Sequence, residues 1–229
     1  MSLLAFVRRT PSAALVGVQL LGVVLYALME TSPRGRALFA LFGVLVLGFA
    51  LRVVRSGPWL TWIGVALAVP IVVLTIVGVF TPNPVITTAS AALYAAFYLY
   101  AAGSLIAYML QDTRVATDDL FAAGATFTLL AWAFAHTFVV CQALQPGAFG
   151  TSLQPDGTLG PRSWTELLYC SVAVLSSVGL SDILPVTPMA RALVMLASFT
   201  GVLYIALVVS RLISLATVAR GDTGRGSGA

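Results

Sequence analysis

Six times in 229 residues the chain runs apolar for long enough to cross a bilayer. A helix rises about 1.5 Å per residue and needs roughly 20 apolar residues to traverse the hydrocarbon core. That ruler predicts membrane helices over Ser12 to Met29, Ala37 to Val54, Trp59 to Phe80, Val85 to Leu110, Leu120 to Ala143 and Pro188 to Ile213. Charged residues are only 9% of the chain against 59% hydrophobic, where a soluble domain carries about 25% charge. A water-soluble fold is excluded, because no single core could hide so much apolar side chain. The expected class is an all-α integral membrane protein with six transmembrane helices.

The charges that remain mark edges. All 12 basic residues are Arg, placed singly or in pairs between apolar runs. They read as topology signals, and no nucleic-acid partner is expected from the net charge of +4. Arg8, Arg9, Arg52, Arg55, Arg114, Arg211, Arg220 and Arg225 fall on one side of a six-span layout, and Arg34, Arg36, Arg162 and Arg191 on the other. The excess predicts both termini in the cytoplasm of a cell (plasma or inner) membrane. The first run is expected to be a span and not a cleaved leader, since no small-x-small site precedes Glu30. Cys141 and Cys170 lie outside any CxxC or His cluster and read as two structural thiols, their pairing left open.

One connection is long, Leu144 to Thr187, and it divides in two. Gln145 to Arg162 is rich in Pro and Gly, the composition of an exposed loop. Ser163-Trp164-Thr165-Glu166 then forms a capping box and predicts a short helix from Trp164. Its apolar stretch, TELLYCSVAVLSS, is too short to span, so it is expected to enter the membrane and return. Irregular backbone at that depth is tolerated only where protein buries it or where it lines a water-filled cavity.

The irregular segment reads Ser176-Ser177-Val178-Gly179-Leu180-Ser181-Asp182-Ile183-Leu184-Pro185. It resembles the pore region of the potassium-channel superfamily, whose filter reads T-V-G-Y-G-D with a proline shortly after. Ser177, Val178, Gly179, Leu180, Ser181 and Asp182 occupy the six filter positions. The following PVTPMARAL and its apolar run resemble the bacterial pore-loop ion channels, and the S-V-G-L-S wording is also similar to the pore loops of the Trk and Ktr potassium transporters. The resemblance covers about Leu120 to Ile213. It implies a voltage-gated-channel-like layout, with a peripheral four-helix unit at 1–117 and a pore domain at 118–215, and the Gly-rich composition after Arg220 predicts a disordered tail at 216–229.

The resemblance also implies a homotetramer surrounded by lipid, with no cofactor beyond a permeant ion, potassium or, with relaxed selectivity, sodium. Backbone carbonyls of Ser177, Val178, Gly179 and Leu180 would replace the ion's hydration shell, with the Ser177 hydroxyl as an inner ligand. The negative end of the short helix dipole would face the cavity beneath them. Asp182 would form an outer acidic ring, its alternative being an exposed loop carboxylate. Glu166, Trp164 and Ser176 are read as filter support, Glu166 also as a cap. Two positions depart from the pattern: Ser181 replaces a glycine, and Leu180 replaces an aromatic whose hydroxyl props the family's filter.

For gating, Gly201 in the last span is a candidate hinge, with close packing as the alternative. His136, the single histidine, is a candidate proton sensor, with a neutral packing role as the alternative. The fourth span carries no Arg, so voltage sensing through arginine charges is not expected. Three function classes compete. A cation channel is the leading one. A non-conducting or auxiliary channel-like subunit with a collapsed filter follows. An enzyme is not expected, because no convergent set of His, Asp and Ser is in view.

Overall fold

The structure is a computed structural model that describes residues 11–29, 33–53, 58–81, 83–111, 117–153, 159–179 and 181–225. Among these residues seven helices and one hairpin form: α1 (Pro11–Met29), α2 (Pro33–Val53), α3 (Pro58–Phe80), α4 (Pro84–Gln111), α5 (Thr117–Leu144), β1 (Ser152–Leu153), β2 (Leu159–Gly160), α6 (Trp164–Leu175) and α7 (Pro188–Arg225). Five of the helices open on proline, whose missing N–H and fixed φ suit the first helical position. Side chains complete the starts. Asn83 Oδ1 accepts from the Val85 amide at 2.8 Å ahead of α4, and Thr187 Oγ1 accepts from the Ala190 amide at 3.3 Å ahead of α7.

Helices stand at all six expected runs. Four are long and apolar enough to cross a membrane: Trp62–Phe80, Pro84–Leu110, Leu120–Leu144 and Pro188–Arg211. Within the described residues α1 and α2 contribute shorter apolar stretches, Ser12–Leu25 and Phe42–Leu51. One expectation differs from the structure. α7 does not stop near Ile213 but continues to Arg225, through much of the stretch expected as a disordered tail. No proline interrupts its hydrogen-bond ladder, and each glycine costs a helix only ~1 kcal/mol. Within the loop after α5, Ser152 pairs with Gly160 and Leu153 with Leu159 in a short antiparallel hairpin. Residues 112–116, between α4 and α5, and the candidate filter residue Leu180 lie outside the described residues.

α5 is the hub, with α1, α4, α6 and α7 all packed against it. Trp132, Leu129 and Phe138 of α5 are buried with Phe97, Tyr98 and Leu105 of α4. Lipid is as apolar as leucine, so this packing gains little from burial alone and depends on close fit and internal hydrogen bonds. Ala101, Ala102, Ala122, Ala125, Ala133 and Ala135 are fully buried and let the α4 and α5 backbones approach. Gln19 of α1 accepts from the Thr128 hydroxyl of α5 at 2.6 Å, and the Thr75 and Tyr94 hydroxyls tie α3 to α4 at 3.2 Å. Large apolar side chains stay outside on α3 (Trp62, Ile63, Val69) and on α7 (Met195, Phe199, Val202). Such faces are stable only against lipid or another protein surface.

Candidate ion-filter site

The site is built on α6. Ser163 Oγ accepts from the Glu166 amide at 3.3 Å while Glu166 Oε2 accepts from the Ser163 amide at 2.7 Å, so both halves of the capping box form. Glu166 Oε1 takes a second bond from Arg162 Nη1 at 2.7 Å. Arg162 is itself held by Gln142 of α5, which donates through Nε2 to the Arg162 carbonyl and accepts from its amide through Oε1. Trp164 sets its ring edge-on to Trp132, centroids 5.3 Å apart, and 5.7 Å from His136. Glu166 and Trp164 thus anchor the amino end of a 12-residue helix. The candidate filter segment begins about 18 Å away at 1.5 Å per residue.

Midway, the Ser171 hydroxyl donates to the Ala131 carbonyl of α5 at 2.9 Å. At the carboxyl end the helix stops by turning left-handed. Ser176 is the cap, its amide donating to Val172 and Val174 carbonyls and its hydroxyl to Ala173 at 3.2 Å. Ser177 follows at φ 61°, its amide reaching the Val174 carbonyl at 3.1 Å. Glycine normally fills this position, and a serine there costs about 1–2 kcal/mol.

From this turn the filter segment departs. φ is positive at Ser177, not at Val178, and positive again at Gly179 at 66°. In a regular strand successive carbonyls point to opposite sides, and the left-handed residues at 177 and 179 take the segment out of that regular pattern. The Gly179 amide donates back to the Ala173 carbonyl at 3.0 Å, while the Gly179 carbonyl accepts from the Ser181 amide at 3.0 Å. In this single chain that carbonyl is therefore engaged by its own segment. Val178 and Asp182 are exposed.

The outer end of the segment is held from behind by a residue sequence reasoning left as a structural thiol. Cys170, 1% exposed, donates from Sγ to the Ile183 carbonyl at 3.8 Å and faces the Ser181 hydroxyl, which accepts from the Ile183 amide at 3.1 Å. Cys170 and Ser181 thus tie this segment to α6 from behind. The only signal in sequence is position: Leu167, Cys170, Ser171 and Val174 recur at helical spacing, with the two polar members on the packed face. Farther out, the Val186 amide donates to the Ala148 carbonyl at 2.8 Å and the Thr187 hydroxyl to Gln145 at 2.8 Å, stitching the outer loops together.

The two gating candidates occupy contacts inside the bundle. His136 stacks on Tyr94 of α4, centroids 5.0 Å apart and planes at 14°, beside Tyr98 at 5.8 Å. Its Nδ1 is buried without a hydrogen-bond partner among the described residues, and its environment is aromatic, joining α4, α5 and the start of α6. Gly201 is buried in α7 against the end of α6. A Cβ there would overlap the Leu175 carbonyl oxygen and stand 2.7 Å from the Leu175 carbonyl carbon and Cα. One helical turn on, the Tyr204 hydroxyl donates to the Ala123 carbonyl of α5.

Residues 123–218 match the family model described as Ion channel. The match takes in α5 from Ala123, all of α6, the segment at 176–187 and α7 as far as Val218, and supports an ion-channel family for the chain. No curated protein and no solved structure matches it. The match to that family model and the apolar helices make this a membrane protein.

Proposed function

We propose that the chain is the subunit of a homotetrameric cation channel in the cell (plasma or inner) membrane, spanning it six times with both termini in the cytoplasm. Four copies of Ser177 to Leu180 would surround one axis and conduct monovalent cations, potassium foremost, with selectivity relaxed by Leu180 and Ser181. The observation that carries this reading is the pair of positive φ angles at Ser177 and Gly179, placed directly after a capped, non-spanning helix inside the region that matches an ion-channel family. The carboxyl end of α6 would contribute its dipole's negative end to cations beneath the filter. Asp182, exposed in the single chain, is free to join an acidic ring.

Gating through arginine charge movement is not part of this reading, since α4 contains neither Arg nor Lys. Conformational gating, with Gly201 on α7 and His136 on α5 as the positions to test, fits the contacts better. A second reading has one observation in its favour: the Gly179 carbonyl is engaged by the Ser181 amide, as in a collapsed filter of a non-conducting partner subunit. Single-channel recording from purified protein in planar bilayers separates the two. The channel reading expects unitary cation currents that reverse toward the potassium equilibrium potential without reaching it. A bilayer that stays silent at every voltage and pH, with the tetramer intact, rejects it for the non-conducting subunit.

A further inference from the structure

We infer that Gly201 is a filter-positioning residue, kept free of a side chain so that the inner helix seats directly on the last carbonyl of the pore helix. The inference rests on the channel reading above and goes beyond it by assigning a fixed contact, not a bend, to this position.

The geometry starts at the end of α6. The last four carbonyls of a helix receive no amide from within it. Here the Val172, Ala173 and Val174 carbonyls take the amides of Ser176, Gly179 and Ser177, so the cap that ends the helix also shapes the filter. The fourth carbonyl, that of Leu175, lies against Gly201 of α7. Both residues are buried. A Cβ at 201 would collide with backbone and not with the far end of a flexible side chain, since its three nearest atoms are the Leu175 carbonyl oxygen, carbonyl carbon and Cα. Backbone cannot rotate away. Either α7 or the end of α6 must move, and the filter follows Leu175 by two residues.

The same face of α7 is fixed on both sides of the glycine. Ala197, one turn earlier, is fully buried, and Tyr204, one turn later, is 6% exposed and hydrogen-bonded to α5. α7 is thus registered against the outer helix within one turn of its contact with the pore helix. A displacement of α7 is therefore delivered to Leu175 and on to Ser177. A hinge makes a different demand: it needs glycine's backbone freedom somewhere near this level of the helix, not an empty space facing one carbonyl.

The test uses the full-length protein, read by potassium and sodium permeability in liposomes and by amide hydrogen exchange over residues 176–183. Gly201→Ala is compared with Gly201→Ala/Val202→Gly, which restores a glycine to the helix while keeping the Cβ at 201. Gly103→Ala is the control, because a Cβ at Gly103 meets nothing within 4 Å. The contact predicts that Gly201→Ala changes the permeability ratio and speeds exchange by about tenfold each, the factor that ~1.4 kcal/mol produces. The second glycine should not rescue it, and Gly103→Ala should behave as wild type. Rescue by Val202→Gly, or exchange in Gly201→Ala equal to wild type, overturns the inference. Alanine is the better helix former by ~1 kcal/mol, so failure of Gly201→Ala to assemble beside a normal Gly103→Ala supports the contact. If wild type passes no cation the channel reading falls, and the exchange comparison still decides the role of Gly201.

Discussion

Ser177 and Gly179 show how little side chain the candidate filter uses. Ser177 adopts a left-handed backbone against its own preference, held by the bond from its amide to Val174. Gly179 adopts it without cost. A Cβ at Gly179 would meet nothing within 4 Å, so the restriction at this position is the dihedral and not the space. Gly179→Ala should therefore leave assembly intact while lowering unitary conductance about tenfold, as a penalty of about 1–2 kcal/mol on the left-handed conformer implies. Bilayer recordings that match wild type would show that the φ of 66° is not required for conduction. Gly179 was legible from sequence because its motif is local. Cys170 was not, since its meaning lies in where its sulfur falls against Ile183, 13 residues on, and no local pattern encodes that.

At the level of elements, α6 is the part that sequence specifies most fully. Its start is a capping box, its length is bounded by Ser163 and the serines at 176 and 177, and the structure contains each of these features. Removing the cap has a defined consequence. Ser163→Ala should destabilise the protein by ~1 kcal/mol, lowering the midpoint of thermal unfolding followed by tryptophan fluorescence. Glu166→Gln should cost less, because a glutamine still accepts from the Ser163 amide and the lost ion pair with Arg162 is partly exposed, worth at most ~1 kcal/mol. An equal midpoint in Ser163→Ala and wild type would mean that the Arg162–Gln142 clamp alone fixes the helix start. The long helices were legible by hydropathy, but their mutual register was not. Lipid-facing and protein-facing residues are alike apolar on α3 and α7, so periodicity names no inner face. The Gln19–Thr128, Ser171–Ala131 and Tyr204–Ala123 ties and the seat of Leu175 on Gly201 all depend on that register.

For the whole molecule, the scarcity of charge that first implied lipid now has a spatial meaning. The Arg162–Glu166 ion pair sits at the start of α6, and the exposed carboxylate of Asp182 stands beyond its end. Between them lies backbone, which offers an ion carbonyl oxygens and no fixed charge. In the proposed tetramer, symmetry-related copies would cover the large apolar faces left open on α7 and the exposed Tyr169 and Val172 on α6. The central claim is tested most directly by the density map of the purified full-length protein in potassium. The account predicts a four-fold assembly with discrete density on its axis, level with the carbonyls of Ser177 to Gly179. A monomer or dimer, or a tetramer whose axis carries no density at that level, contradicts it.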